Sequence, residues 1–71
     1  MTDYLIVREE DDRLVRRGAK DDDEAERILG AQSLRHRGAL LLFRDARLMA
    51  HATDGVVTSY REKPARREVA A

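Results

Sequence analysis

Hydrophobic and polar positions along this chain follow two different periods. In residues 4–9 (YLIVRE) they alternate, with Tyr4, Ile6 and Arg8 on one face and Leu5 and Val7 on the other. The aromatic and β-branched content of that run predicts a strand. Glu10, Asp11 and Asp12 break the pattern and residues 13–17 (RLVRR) resume it, which predicts a hairpin bent at the acidic stretch. From Asp21 the period lengthens. Ala25, Ile28, Leu29 and Gln32 recur at i, i+3, i+4 and i+7, with Glu24, Glu26, Arg27 and Arg35 pointing elsewhere, so residues 21–37 are expected to form one helix with a narrow apolar stripe. After Gly38 the alternation returns in a heavier form. Residues 39–44 (ALLLFR) are apolar on both faces, the signature of a strand in the middle of a sheet. A tight turn at Asp45–Ala46 leads to a fourth strand, 47–53 (RLMAHAT), and Asp54–Gly55, a strong short hairpin signal, leads to a fifth, 56–60 (VVTSY).

The ends of the helix carry their own signals. Asp21, Asp22, Asp23, Glu24 and Glu26 crowd its start and Arg35, His36 and Arg37 its end, the charge order that complements a helix dipole. Asp21 or Asp23 can cap, each with a Glu three residues on, and Gly38 can supply a left-handed residue past the end. Gly30 is the poor helix former inside this segment, costing about 1 kcal/mol relative to Ala. A helix that stopped there would leave Leu34 to close the core from a loop.

The element order is therefore β-β-α-β-β-β, and the expected fold class is α+β: one small domain, residues 1–61, with an antiparallel sheet of four to five strands and one helix packed on one face. Residues 62–71, charged, small and interrupted by Pro64, are expected to be a flexible C-terminal tail. One helix covers one face. Yet residues 40–43, Leu48 with Met49, and Val56 with Val57 are apolar on both faces of their strands. Something must cover the second face: curling of the sheet, self-association, or a protein partner, with self-association in solution as the expectation.

Composition then narrows the function classes. With no cysteine in 71 residues, neither disulfides nor thiolate metal sites are available, and a cytoplasmic location is expected. No apolar run approaches the ~20 residues of a membrane span, so no membrane association is expected. Fourteen cations, twelve of them Arg, balance fourteen carboxylates, leaving no net attraction to nucleic acid. His36 and His51 lie on different elements outside any metal-ligand or nucleophile spacing, and the glycines form no phosphate loop, so neither an enzyme nor a cofactor or metal site is expected. Consecutive acids at Asp21–Glu24 lack the alternating ligand spacing of a calcium loop and read as a helix cap.

Two charged groups remain as candidate binding residues. Glu9, Glu10, Asp11 and Asp12, together with Asp21, Asp22, Asp23 and Glu24, could imitate the spaced charges of a phosphate backbone and dock on a basic partner surface. Arg13, Arg16 and Arg17, with Arg44 and Arg47 if their strands neighbour each other, form the alternative, a basic patch that would contact phosphates directly. Without interleaved aromatics, direct nucleic-acid binding is the weaker expectation.

The succession of YLIV, a helix carrying AERI, the Gly-led strand GALLLFRD, the hairpin RLMAHATDG and the polar-aromatic strand VVTSY resembles small phage-encoded anti-CRISPR proteins in size and element order. The resemblance implies an antiparallel sheet with one helix and, as partners, Cas subunits of a type I CRISPR surveillance complex. It also implies an inhibitor that blocks target DNA recognition in the host cytoplasm. The chain departs from some of those proteins in lacking a Lys-rich surface, and no contact residue carries over. The alternatives are a small homodimeric DNA-associated regulator and a structural accessory subunit of a larger assembly.

Overall fold

The computed structural model describes residues 2–60. Within them the order is β1 (Tyr4–Arg8), β2 (Leu14–Arg17), α1 (Asp22–Ser33), β3 (Leu40–Arg44), β4 (Arg47–Thr53) and β5 (Val56–Ser59). The fold is α+β, as the alternation predicts: one five-stranded antiparallel sheet in the order β2-β1-β3-β4-β5, with α1 across one face. β3 is the central strand. Because β1 pairs antiparallel with both β2 and β3, β2 and β3 run parallel, and α1 is the crossover that carries the chain over β1. The expected tail, 62–71, lies outside the described residues.

Both tight hairpins use left-handed backbone. Asp45 and Ala46 have φ of 51° and 71°, Asp54 and Gly55 of 54° and 84°, the two-positive pattern whose twist matches that of paired strands. Glycine takes this geometry freely, whereas Ala46 takes it against its Cβ. Asp3 braces the first turn: the Asp45 amide donates to its carbonyl at 2.8 Å, and its own amide donates to Asp45 Oδ1 at 2.8 Å. The acidic bend between β1 and β2 closes when the Asp12 amide donates to the Arg8 carbonyl, 2.8 Å, with Asp12 itself at φ 59°.

The helix starts where its acids predict and ends earlier than expected. Asp21 is extended and caps it, its Oδ1 accepting from the Glu24 amide at 2.8 Å, while Glu24 Oε1 reaches back to the Lys20 amide at 2.5 Å. Gly30 does not end it; the helix runs to Ser33. Arg35, His36 and Arg37 lie beyond the last turn, so the expected cationic end is not part of the helix. Ser33 is the last helical residue. Its hydroxyl donates to the Gly30 carbonyl at 2.8 Å, and the Leu34 amide turns to the Ala31 carbonyl, an i to i−3 closure.

Gly30 is explained by approach rather than by termination. A Cβ there would stand 3.1 Å from Val57 Cγ2 and 3.7 Å from the Gly55 carbonyl, so the helix lies against β5 and its turn at this point. Ser33, fully buried, accepts from the Gly55 amide at 2.7 Å and ties the helix end to the β4–β5 turn. Since the helix does not stop at Gly30, Leu34 is not needed to close the core from a loop, and it is 71% exposed.

The core lies between helix and sheet. Ala25 and Leu29 of α1 pack on Tyr4 and Ile6 of β1, Leu40 and Leu42 of β3, and Met49, Ala50 and Ala52 of β4. Alanine opposite the helix at positions 50 and 52 leaves room for Leu29. Met49 joins this side because β4 bulges there: Leu42 pairs with Ala50 but Phe43 with Leu48, leaving Met49 as the extra residue.

Candidate functional site

The register divides every strand between two faces. Residues paired across an antiparallel ladder share a face, so the side opposite the helix carries Leu5 and Val7 of β1, Leu41 and Phe43 of β3, and Leu48 and His51 of β4. Leu14 on β2 and Val56 on β5 extend it to both edges. Leu5, Val7, Leu41 and Phe43 are half-buried by one another, whereas Leu14, Leu48 and Val56 are 57%, 46% and 68% exposed. No described element covers this face, and the expectation of apolar residues on both sides is met in each of the strands that raised it.

Polar groups sit at its margin. Arg17 lies at the β2 edge, held by Asp3 with Nε 3.5 Å from the carboxylate. Toward β5, the Tyr60 hydroxyl shares a hydrogen bond with Nδ1 of His51, their ring centres 5.5 Å apart and tilted by 35°. Tyr60, His51, Leu41, Leu48, Thr53 and Glu9 line a shallow hollow of about 390 Å³ beside this pair.

The candidate acids do not form one patch. Glu9, Glu10, Asp11 and Asp12 occupy the β1–β2 bend at the Arg8 end of β1, while Asp21, Asp22, Asp23 and Glu24 begin the helix at the Tyr4 end, roughly 17 Å away along a five-residue strand. Several are engaged within the fold. Asp11 and Glu10 lie 3.4 and 3.7 Å from the Arg8 guanidinium, and Asp11 also accepts from the Arg13 amide at 3.2 Å. Asp22 accepts from the Tyr4 hydroxyl at 2.5 Å and from Arg44 Nη1 at 2.7 Å, joining α1 to β1 and β3. The Tyr4 phenol is pushed up to about 12, first by that hydrogen bond to Asp22 and then by burial.

The candidate arginines divide as well. Arg17, Arg44 and Arg47 gather at the Tyr4 end of the sheet, Arg44 pairing across the ladder with Arg47, but Arg17 and Arg44 are held by Asp3 and Asp22. Arg16 pairs with Ile6 and so lies on the helix side of β2, while Arg13 sits just before that strand, beside the acidic bend. His36 lies between α1 and β3 and His51 on β4, and among the described residues no three His, Asp or Glu side chains come together as a metal site. Among the described residues no helix is long and apolar enough to cross a membrane.

No family model, curated protein or solved structure matches this chain. The functional reading therefore rests on its own surfaces. What residue lists alone miss is the grouping: the apolar face draws one or two residues from each of five strands, and only the register brings them together.

Proposed function

We propose that this chain is a non-enzymatic binding protein that works by protein–protein contact, with the uncovered sheet face as its principal docking surface. The observation that carries this reading is the apolar centre formed by Leu5, Val7, Leu41, Phe43 and Leu48, open on the side away from the helix. Contiguous apolar surface of this kind on a small domain marks a place where another protein sits. The sharpest form of the proposal is a phage- or mobile-element-encoded inhibitor of a type I CRISPR surveillance complex. Its support is the resemblance in size and element order. On that reading the two acidic ends supply charge for a basic, nucleic-acid-binding surface of the complex, and target DNA is blocked by occlusion.

The test is a pull-down with the tagged full chain from bacterial lysate containing type I complexes, with bound protein and nucleic acid both identified. Stoichiometric Cas subunits retained through a salt wash are the expected result. Recovery of the chain alone, or of nucleic acid that salt removes, overturns the inhibitor reading and favours a DNA-associated regulator, whose binding would fall steeply with ionic strength.

A further inference from the structure

The uncovered face has a composition that identifies its first occupant. Within its ladder positions it carries no carboxylate, and its single cation, Arg17, is at the edge and already beside Asp3. The chain beyond Tyr60, REKPARREVAA, has six charged residues in eleven and one large apolar residue, Val69. That segment has no chemistry to match Leu5, Leu41 and Phe43. A second copy of the same face has, and a formal net charge of zero lets two copies approach without repulsion at neutral pH.

We propose that two copies of this chain pair through their uncovered sheet faces, related by a two-fold axis that runs between the sheets along the direction of β3. This deepens, and rests on, the protein-docking reading above. The strand order makes such a pairing self-complementary. With β3 in the centre, the axis sets Leu41 and Phe43 against the same residues of the other copy. It lays β1, with Leu5 and Val7, over the other copy's β4, with Leu48 and His51. The outer strands then exchange in the same way: exposed Leu14 on β2 comes over Thr58 on β5, one ladder step from Val56, and Arg17 comes over Tyr60. At the centre apolar side chains meet apolar ones, Leu41 and Phe43 their own copies and Leu5 the other copy's Leu48. The two sheets would cross at about 30°, the angle that sheet twist imposes on an aligned pair.

The size is sufficient. Five strands spaced ~4.8 Å apart and four to seven residues long give a face of about 25 by 20 Å, or roughly 1,000 Å² over two copies before side-chain relief is counted. That is the scale at which specific interfaces separate from incidental contacts. The paired arrangement turns both helices outward, so the acid-rich helix starts remain available to a further partner.

Sedimentation velocity and light scattering of the full chain, from low micromolar to millimolar, test this directly. The mass is expected to rise to twice the 8.1 kDa of the chain. Leu48→Glu and, separately, Val56→Glu alter side chains that are already exposed, so far-UV circular dichroism should be unchanged while self-association weakens by roughly thirtyfold or more for Leu48, next to the central strand, and less for Val56 at the edge. Leu34→Glu, equally exposed but after the helix, should pair as the unsubstituted chain does. In a sample mixed from isotopically labelled and unlabelled copies, contacts between copies are expected at Leu41 and Phe43. A mass fixed at the monomer value throughout, or a dimer indifferent to both glutamates, overturns the proposal. A monomer that still captures a foreign protein removes the self-pairing and leaves the docking reading intact, so the two fail separately.

Discussion

Replacing Ser33 by Ala removes one oxygen and isolates the joint between helix and sheet. The Ser33 hydroxyl donates to the Gly30 carbonyl at 2.8 Å and accepts from the Gly55 amide at 2.7 Å, and the side chain is fully buried. Without the oxygen, the Gly55 amide faces the end of the helix with no acceptor, and a partly buried donor left unpaired costs about 1–3 kcal/mol. Alanine is the better helix former and returns about 0.5 kcal/mol. Steric relief adds nothing, because alanine fits within the space of serine. The expected net loss is about 1.5 kcal/mol, which in a domain of this size lowers the thermal midpoint by roughly 6–12 °C. The assay is thermal unfolding of both proteins at one matched concentration, since self-association would make the midpoint depend on concentration. Amide hydrogen exchange supplies the local readout: Gly55 should lose protection in Ser33→Ala while the amides of β1 change only with global stability. An unchanged or higher midpoint, or a Gly55 amide as protected as before, would refute the account of Ser33 as the tie between α1 and the β4–β5 turn.

The remaining predictions concern backbone and protonation. Gly55→Ala sets a Cβ at φ 84° and 2.8 Å from Leu34 Cδ2, and should destabilise by about 1 kcal/mol, whereas Ala46→Gly relieves φ 71° and should stabilise by about 0.5 kcal/mol; denaturant titration of both tests the opposed signs. Gly30→Ala gains up to about 1 kcal/mol of helix propensity but presses on Val57 Cγ2 at 3.1 Å, so it should be close to neutral alone and clearly favourable in a Val57→Ala background, a coupling that a double-mutant cycle measures. The folded state holds the Tyr4 proton more tightly than the unfolded chain does, its phenol standing at about 12 against an ordinary 10. Its contribution is therefore complete below pH 10 and is lost as the pH rises through about 12. Unfolding followed across that window should show a steeper decline for the unsubstituted chain than for Tyr4→Phe, and parallel curves would contradict the role of the Tyr4–Asp22 bond.

Alternation and turn chemistry were enough to place five strands, because Asp45–Ala46 and Asp54–Gly55 leave two-residue loops that fix the flanking register. The middle position of β3 was legible for a related reason: Leu40, Leu41, Leu42 and Phe43 have no polar face to turn to water. The helix end was not legible. Arg35, His36 and Arg37 imitate a cationic last turn, and nothing local announces that the Ser33 hydroxyl is engaged by an amide 22 residues away. Gly30 misleads in the same manner, since its absent side chain answers to Val57, a neighbour in space alone. Among the candidate sites, the acidic and basic groups were visible as runs, but their separation depends on which end of β1 each run meets. The uncovered face was foreseeable from doubly apolar strands, and its membership required the bulge at Met49, which turns Leu48 outward.

The central ladder between β1 and β3 has a consequence for how the chain reaches this fold. Tyr4 pairs with Arg44, forty positions later, whereas β3, β4 and β5 are joined by two-residue turns and β1 and β2 by one short bend. Pairings that close short loops form early, and those that close long ones wait on a larger loss of chain entropy. β1 can pair with β2 through one short bend, but its other edge stays open until β3 is in place. The six consecutive charged residues from Arg8 to Arg13 stand at the bend beside that open edge, and charge of this kind disfavours edge-to-edge pairing of half-made sheets.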